Sequence, residues 1–176
     1  MRKLIGSLLT AFFLLAPLSP VQADSTVVRI VSPAHQTFTG EFRNDDLAQE
    51  LTPSGRLGQL VYVSASRSKI WVIDPALIDE VVAMTGEYKL ATDAQPLGSK
   101  IASDWLSQLQ KVSRANEVVA LAYGNPDVAL ATSLAPSELK MYYTFGKSQL
   151  QVALDVSCAV SQMVAGAQVN QSSAPC

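Results

Sequence analysis

Two stretches of the sequence share one pattern, and this pattern constrains the fold more than any other feature. In "KIWVIDPALIDEVVAM", residues 69 to 84, a short apolar run ends at Asp74 and Pro75 and restarts with the spacing of a helix face. "EVVALAYGNPDVALATSL", residues 117 to 134, repeats the apolar run, the proline and the helix. Continuous β-branched and aromatic runs indicate buried strands, and proline suits the first turn of a helix. Repeated strand-proline-helix units predict an α/β protein with a mainly parallel sheet.

The flanking segments supply further elements. The β-branched "STVVRIVSP", residues 25 to 33, predicts a first strand, and "NDDLAQEL", residues 44 to 51, predicts a helix. Residues 57 to 64 fit either a strand or a helix, while "IASDWLSQLQKV", residues 101 to 112, has clear helical spacing.

A helical segment is predicted at the C-terminal side of these units. Ser137 followed by an acidic residue is typical of a helix start, and Gly146 predicts a break before a final helix. A strand at "LQVALDV", residues 150 to 156, also fits because the apolar residues alternate there.

The first 23 residues have the three parts of a secretory signal peptide. Arg2 and Lys3 form the basic region, Leu4 to Leu15 the apolar region, and Val21-Gln22-Ala23 a small-residue cleavage site. We expect an exported, secreted or envelope-bound protein with one α/β domain over residues 24 to 176 and no stable membrane span after cleavage. A retained N-terminal anchor helix is the alternative.

Charge and composition exclude several classes of partner. Two of the thirteen Lys and Arg residues precede the cleavage site and all fifteen Asp and Glu residues follow it, so the mature net charge is −4. An acidic chain without a basic cluster argues against binding to nucleic acid or anionic membranes. No glycine-rich phosphate loop or nucleophile motif is present, so no cofactor is predicted.

The cysteines and the lone histidine limit the metal chemistry. Cys158 and Cys176 are the only cysteines, and an even count in an oxidising compartment predicts a disulfide between them. A free buried Cys158 with an exposed terminal thiol is the alternative. His35 is the only histidine, which predicts no zinc site and is interpreted as a surface loop residue rather than a lone general base.

The candidate site lies where the predicted strands end. Asp74 and Asp127 follow the two apolar runs and could act as paired carboxylates, which glycosidases place about 5 to 10 Å apart. Each also fits a purely structural role at a helix start, by capping or by favourable interaction with the helix dipole. Tyr123 and Asn125 are candidate ligand-binding residues at the same edge, whereas Trp71, inside its strand, is predicted to be core.

Several of these segments resemble a family of secreted or membrane-anchored actinobacterial envelope proteins of unknown function, part of which is a glycoside hydrolase/deacetylase-like β/α barrel. The resemblance covers residues 27 to 133. It leaves residues 134 to 169 as a helical extension and 170 to 176 as a tail. Its most specific pieces are Gly55-Arg56-Leu57, Trp71 to Leu77 and Tyr123 to Asp127.

The resemblance implies that Gly55-Arg56-Leu57 starts a helix, which favours the helical alternative for residues 57 to 64. Family members are much longer, so one copy of this chain cannot close an eight-stranded barrel. The predicted architecture is therefore a partial β/α barrel or an open three-layer sandwich with a mainly parallel sheet. Related deacetylases use a metal-binding histidine pair, which this chain lacks. The expected function is non-catalytic binding of cell-wall glycan or an envelope protein. The alternative is a metal-independent hydrolase of envelope carbohydrate that uses the paired aspartates.

Overall fold

The computed structural model describes residues 26–63, 69–155 and, for the backbone, 160–162. Within these ranges the elements follow one another as β1 (Thr26–Ile30), α1 (Asp46–Leu51), α2 (Arg56–Tyr62), β2 (Lys69–Ile73), α3 (Pro75–Thr85), α4 (Ser99–Ser113), β3 (Glu117–Ala120), α5 (Val128–Leu134), α6 (Pro136–Leu154) and β4 (Val160–Gln162). The predicted α/β class and both strand-proline-helix units are confirmed. The helical interpretation of residues 57 to 64 is confirmed up to Tyr62, where α2 ends, and residue 64 lies outside the described residues.

The sheet is open and parallel, with the strands in the order β1-β2-β3-β4. Strands that follow one another in space as in sequence give the winding of a β/α barrel, whereas a doubly wound sheet reverses its order part-way. The sheet is open, as both predicted architectures, the partial barrel and the open sandwich, require. In register, Ile30 pairs with Ile73 and Ile73 with Ala120, so these three strands end at the same level.

The core lies between one face of this sheet and the helices. Alternate strand residues on that face join apolar helix residues in one buried cluster, and the strand residues are Ile30, Trp71, Ile73, Val118 and Ala120. The other face carries a smaller cluster of Val72, Val119 and Leu121, flanked by Val31 and Ile70. No described helix residue belongs to this second cluster. The prediction that Trp71 is core is confirmed, since its side chain is fully buried.

Helices α1 and α2 pack unusually close at Gly58. A Cβ on Gly58 would lie 1.7 Å from the carbonyl oxygen of Thr52, far inside van der Waals contact. Leu57, which precedes Gly58 in α2, is fully buried, and its carbonyl oxygen accepts a hydrogen bond of 3.1 Å from Trp105 Nε1. The glycine therefore permits the contact that joins α1, α2 and α4.

The C-terminal part differs from the prediction in two respects. Helix α6 runs without interruption from Pro136 to Leu154, so the predicted break at Gly146 is wrong. A glycine fits at position 146 for steric reasons, because a Cβ there would lie 2.9 Å from Pro75 Cγ and 3.3 Å from the Leu121 oxygen. Residues 150 to 154 are helical rather than extended, and the chain then returns to the sheet as β4, inside the segment that was predicted to be helical.

Replacing Gly58 by alanine tests the close packing of α1 on α2. Helix propensity alone would make this change stabilising by about 1 kcal/mol. We expect instead a destabilisation of about 2 kcal/mol from overpacking, which thermal unfolding would register as a fall in Tm of roughly 5 °C. The matched control is Gly86→Ala, because a Cβ on Gly86 meets nothing closer than 4.0 Å. Equal stability of the two variants would contradict the assigned packing.

Candidate functional site

Asp74 is the polar residue at the centre of the sheet's carboxyl edge. Its backbone N–H continues the ladder by donating to the Ile30 oxygen at 3.0 Å, and its side chain caps α3. Atom Oδ1 accepts two backbone hydrogen bonds, from Ala76 N at 3.0 Å and from Gly124 N at 3.1 Å. The predicted capping role is thus observed, and the second bond, from the loop after β3, adds a long-range contact to it.

The environment of Asp74 favours its protonated form. The residue is only 3 % exposed, and this burial is the main cause that raises the pKa of its carboxyl above the usual value. The two backbone hydrogen bonds oppose the rise, the charge of Glu80 adds to it, and the charge of Arg29 opposes it. A buried carboxyl with a raised pKa at a strand end is a feature of many functional sites.

The loop after β3 has the backbone conformation that the bond to Asp74 needs. Asn125 N donates to the Ala122 oxygen at 2.8 Å and closes a tight turn, in which Gly124 has φ of +75°. Asn125 itself has φ of +44°, a conformation that asparagine tolerates better than most residues. The glycine and the asparagine of the sequence "YGNPD" therefore shape this loop.

A polar cavity of about 560 Å³ opens beside Asp74, and we call it the rim cavity. Its wall consists of residues from the ends of the first three strands and from the α1–α2 region: Val31, Ser32, Pro33, Ala34, Glu50, Arg56, Asp74, Gly124 and Asn125. Parallel sheets place ligands at this edge because the loops after the strands converge there. The position and lining make it the candidate binding site.

Two arginines connect the parts of the cavity wall. Arg56 donates to the Val31 oxygen at 3.0 Å, to Ser32 Oγ at 3.1 Å and to the carboxylate of Glu50. Arg29, on β1, donates to Asn125 Oδ1 at 3.0 Å and so reaches the loop after β3. These four hydrogen bonds fix wall residues from distant parts of the sequence before any ligand arrives.

A histidine–glutamate pair holds the loop between β1 and α1, which we call the first loop, against α3. Glu80 Oε1 accepts from the backbone N–H groups of His35 and Gln36 at 2.8 and 3.0 Å, and His35 Nδ1 lies 3.0 Å from Glu80 Oε2. These bonds outweigh the effect of burial and lower the pKa of Glu80. The interpretation of His35 as a surface residue is wrong, since its side chain is 12 % exposed and bonded to a carboxylate.

Tyr123 lies next to the cavity but does not line it. Its hydroxyl donates to Asp79 Oδ2 at 2.9 Å, and its ring packs on Phe145 with centroids 4.9 Å apart. Burial and the neighbouring carboxylate raise the pKa of Tyr123 to about 12, and burial raises the pKa of Asp79. Tyr123 is therefore committed to other contacts, whereas Asn125, the other predicted ligand-binding residue, does line the cavity.

The two predicted catalytic aspartates, Asp74 and Asp127, have different positions: Asp74 lines the rim cavity and Asp127 does not. Asp127 caps α5, its Oδ1 accepting from Leu130 N at 3.0 Å, and it is exposed. It is not among the residues that line the rim cavity. The carboxylate that does share the cavity with Asp74 is Glu50, which sequence reasoning missed because Glu50 belongs to α1, a helix that becomes adjacent only through the fold.

Three other predictions concern metals, membranes and the disulfide. In the described part of the chain, no group of three or more His, Cys, Asp or Glu side chains is arranged to hold a metal ion. No helix among residues 26–63 and 69–155 is long and apolar enough to cross a membrane. Cys158 and Cys176, together with the predicted signal peptide, lie outside the described residues.

A second cavity, of about 630 Å³, lies along the connection between α3 and α4. Its wall comes from residues 86 to 99, and the charged groups there are Glu87, Lys89 and Asp93. No strand end contributes to it. The rim cavity is the better candidate because it combines a buried carboxyl with side chains contributed by separate elements.

Glu80→Gln tests the attachment of the first loop. Since folding lowers the pKa of Glu80, its ionised form stabilises the fold above its unfolded-state pKa, and this contribution is lost as pH falls through the folded-state pKa. We expect the variant to be less stable than the parent by about 2 kcal/mol at pH 7. The difference should shrink below about pH 4.5 in thermal or urea unfolding.

The matched control for this test is Glu87→Gln, because Glu87 is exposed and its side chain forms no hydrogen bond with the described residues. Its stability should follow that of the parent within about 0.5 kcal/mol. A Glu80→Gln deficit of constant size from pH 7 to pH 3 would show that the charge of Glu80 plays no part.

Comparisons with known proteins found no match to this chain. No protein-family model matches the chain, and no curated protein or solved structure matches it either. The resemblance to an envelope protein family therefore stays a prediction from sequence. What the structure contributes is an α/β fold with a preformed polar cavity at the carboxyl edge of its sheet.

Proposed function

We propose that this chain is an exported, envelope-associated domain that binds glycan in the rim cavity and has no catalytic activity of its own. The observation that carries the proposal is the buried carboxyl of Asp74, held in the wall of an open polar cavity together with Asn125 and Arg56. Export is inferred from the N-terminal sequence alone.

The chemistry of the wall suits hydroxyl groups. A sugar hydroxyl donates one hydrogen bond and accepts others, so it needs acceptors and donors side by side. Asp74 supplies an acceptor, and the side-chain amide of Asn125 supplies donors beside it. Because the first loop, the Arg56 region and the loop after β3 are already joined by hydrogen bonds, a ligand would bind with little ordering of the wall.

Binding is favoured over catalysis by the roles of the carboxylates. A glycosidase needs two carboxyl groups that face the bond to be broken. Asp127 does not line the cavity, and the carboxylate of Glu50 forms an ion pair with Arg56. The cavity thus lacks an obvious second partner for Asp74 among the described residues.

The alternative is a metal-independent hydrolase of envelope carbohydrate, and one observation favours it. The raised pKa of Asp74 suits a general acid. This alternative predicts release of reducing sugars from cell-wall glycan, with a rate that falls at least 100-fold in Asp74→Asn. Absence of release by a folded, binding-competent protein would remove it.

Retention on insoluble cell-wall glycan tests the proposed function. We expect Asp74→Asn to weaken retention about tenfold, because a neutral amide replaces a carboxylate that accepts hydrogen bonds from the ligand. The amide oxygen of asparagine can still accept from Ala76 N and Gly124 N, so the fold should persist, which circular dichroism and thermal unfolding would verify.

The matched control is Asp127→Asn. It removes the same charge and keeps a capping oxygen for Leu130 N, yet it lies outside the cavity, so retention should be unchanged within about twofold. Equal retention of both variants, or no retention of the parent protein, would contradict the proposal.

A further inference from the structure

The two oxygens of the Asp74 carboxyl have different surroundings. Oδ1 accepts from both Ala76 N and Gly124 N, which fills its acceptor positions. Oδ2 has no hydrogen-bond donor among the described residues. Asp74 is only 3 % exposed, and it borders the rim cavity. An oxygen of this kind is free to accept a hydrogen bond from a group inside the cavity.

The positive charges nearest to Asp74 are committed elsewhere. The guanidinium of Arg56 is bonded to Val31, Ser32 and Glu50, and that of Arg29 to Asn125. The Arg56–Glu50 ion pair is neutral as a unit, and Arg29 acts on Asp74 only through space, so no described cation is hydrogen-bonded to the Asp74 carboxylate. Burying a carboxylate without a hydrogen-bonded cation is unfavourable, and a ligand that brings a positive charge to Oδ2 relieves the cost.

We propose that the rim cavity recognises a primary ammonium group of its ligand through Asp74 Oδ2, so that the glycans it binds carry free amino groups rather than only hydroxyl or N-acetyl groups. This inference rests on the proposed function and names the class of glycan within it.

The geometry distinguishes an ammonium from the other common biological cation. A guanidinium pairs best with a carboxylate through two parallel hydrogen bonds, one to each oxygen. Oδ1 is already occupied by two backbone N–H groups, so that arrangement is blocked at Asp74. An ammonium is a compact charge that needs only one oxygen, and its remaining hydrogens can meet other acceptors in the cavity.

An N-acetyl group fits this position less well. Acetylation removes the positive charge, leaves a single N–H donor, and adds a carbonyl oxygen and a methyl group. The carbonyl oxygen would carry a negative partial charge into the vicinity of a carboxylate. Neutral sugars can still donate a hydroxyl to Oδ2, but without charge compensation.

Calorimetric titration of the full chain with three soluble tetrasaccharides tests the inference. The probes are tetramers of glucosamine, of N-acetylglucosamine and of glucose, at a pH where the glucosamine amines are protonated. We expect the glucosamine tetramer to bind at least tenfold more tightly than either of the others. This preference should disappear in Asp74→Asn.

Nonspecific attraction between a cationic sugar and an acidic protein is controlled by Asp127→Asn. Both variants change the net charge by one unit, and only one of them alters the cavity. Asp127→Asn should keep the tenfold preference. Loss of the preference in both variants, or its survival in Asp74→Asn, would overturn the inference.

The outcomes separate this inference from the proposed function. Equal binding of the three tetramers, sensitive to Asp74→Asn, would overturn amine recognition and leave glycan binding standing. Failure of all three tetramers to bind, together with failure of retention on cell-wall glycan, would overturn both.

Discussion

The hydrogen bond from Gly124 N to Asp74 Oδ1 is the contact on which the site depends. Asp74 already caps α3, which is a local role, and the bond from Gly124 attaches the loop after β3 to the same carboxyl. It forms because neighbouring parallel strands end at one level, with Ile73 beside Ala120. One carboxyl thus fixes the start of a helix, the position of a neighbouring loop and the wall of the rim cavity.

Stability and binding compete for the same carboxyl. Burial raises the pKa of Asp74, so the ionised form costs folding free energy, whereas Glu80 has a lowered pKa and stabilises the fold through its bonds to the first loop. Both oxygens of the Glu80 carboxylate, which holds the first loop, form hydrogen bonds. In the Asp74 carboxyl, at the cavity, only Oδ1 accepts hydrogen bonds from described residues. Functional sites often keep such an unfavourable group, and the surrounding contacts compensate for it.

Sequence reasoning succeeded where the determinants are local. The strand-proline-helix units and the capping role of Asp74 follow from residues a few positions apart. The bonds that build the site join distant residues, 96 apart for Arg29 and Asn125 and 45 apart for His35 and Glu80, and no periodicity encodes them. The predicted helix break at Gly146 is wrong for a related reason. A glycine in a helical pattern can indicate either a break or a close neighbour, and only the packed structure distinguishes the two.

The alternation of side chains along β2 sets how this protein can vary. Ile73 faces the helices and Val72 the opposite side, so Asp74 reaches the cavity only because it stands one position beyond Ile73. A single inserted residue in this strand would exchange the two faces and turn the carboxyl toward the helices. The connection between α3 and α4, by contrast, can lengthen without moving it. Changes of chain length are thus compatible with the site between α3 and α4 and incompatible with it inside β2.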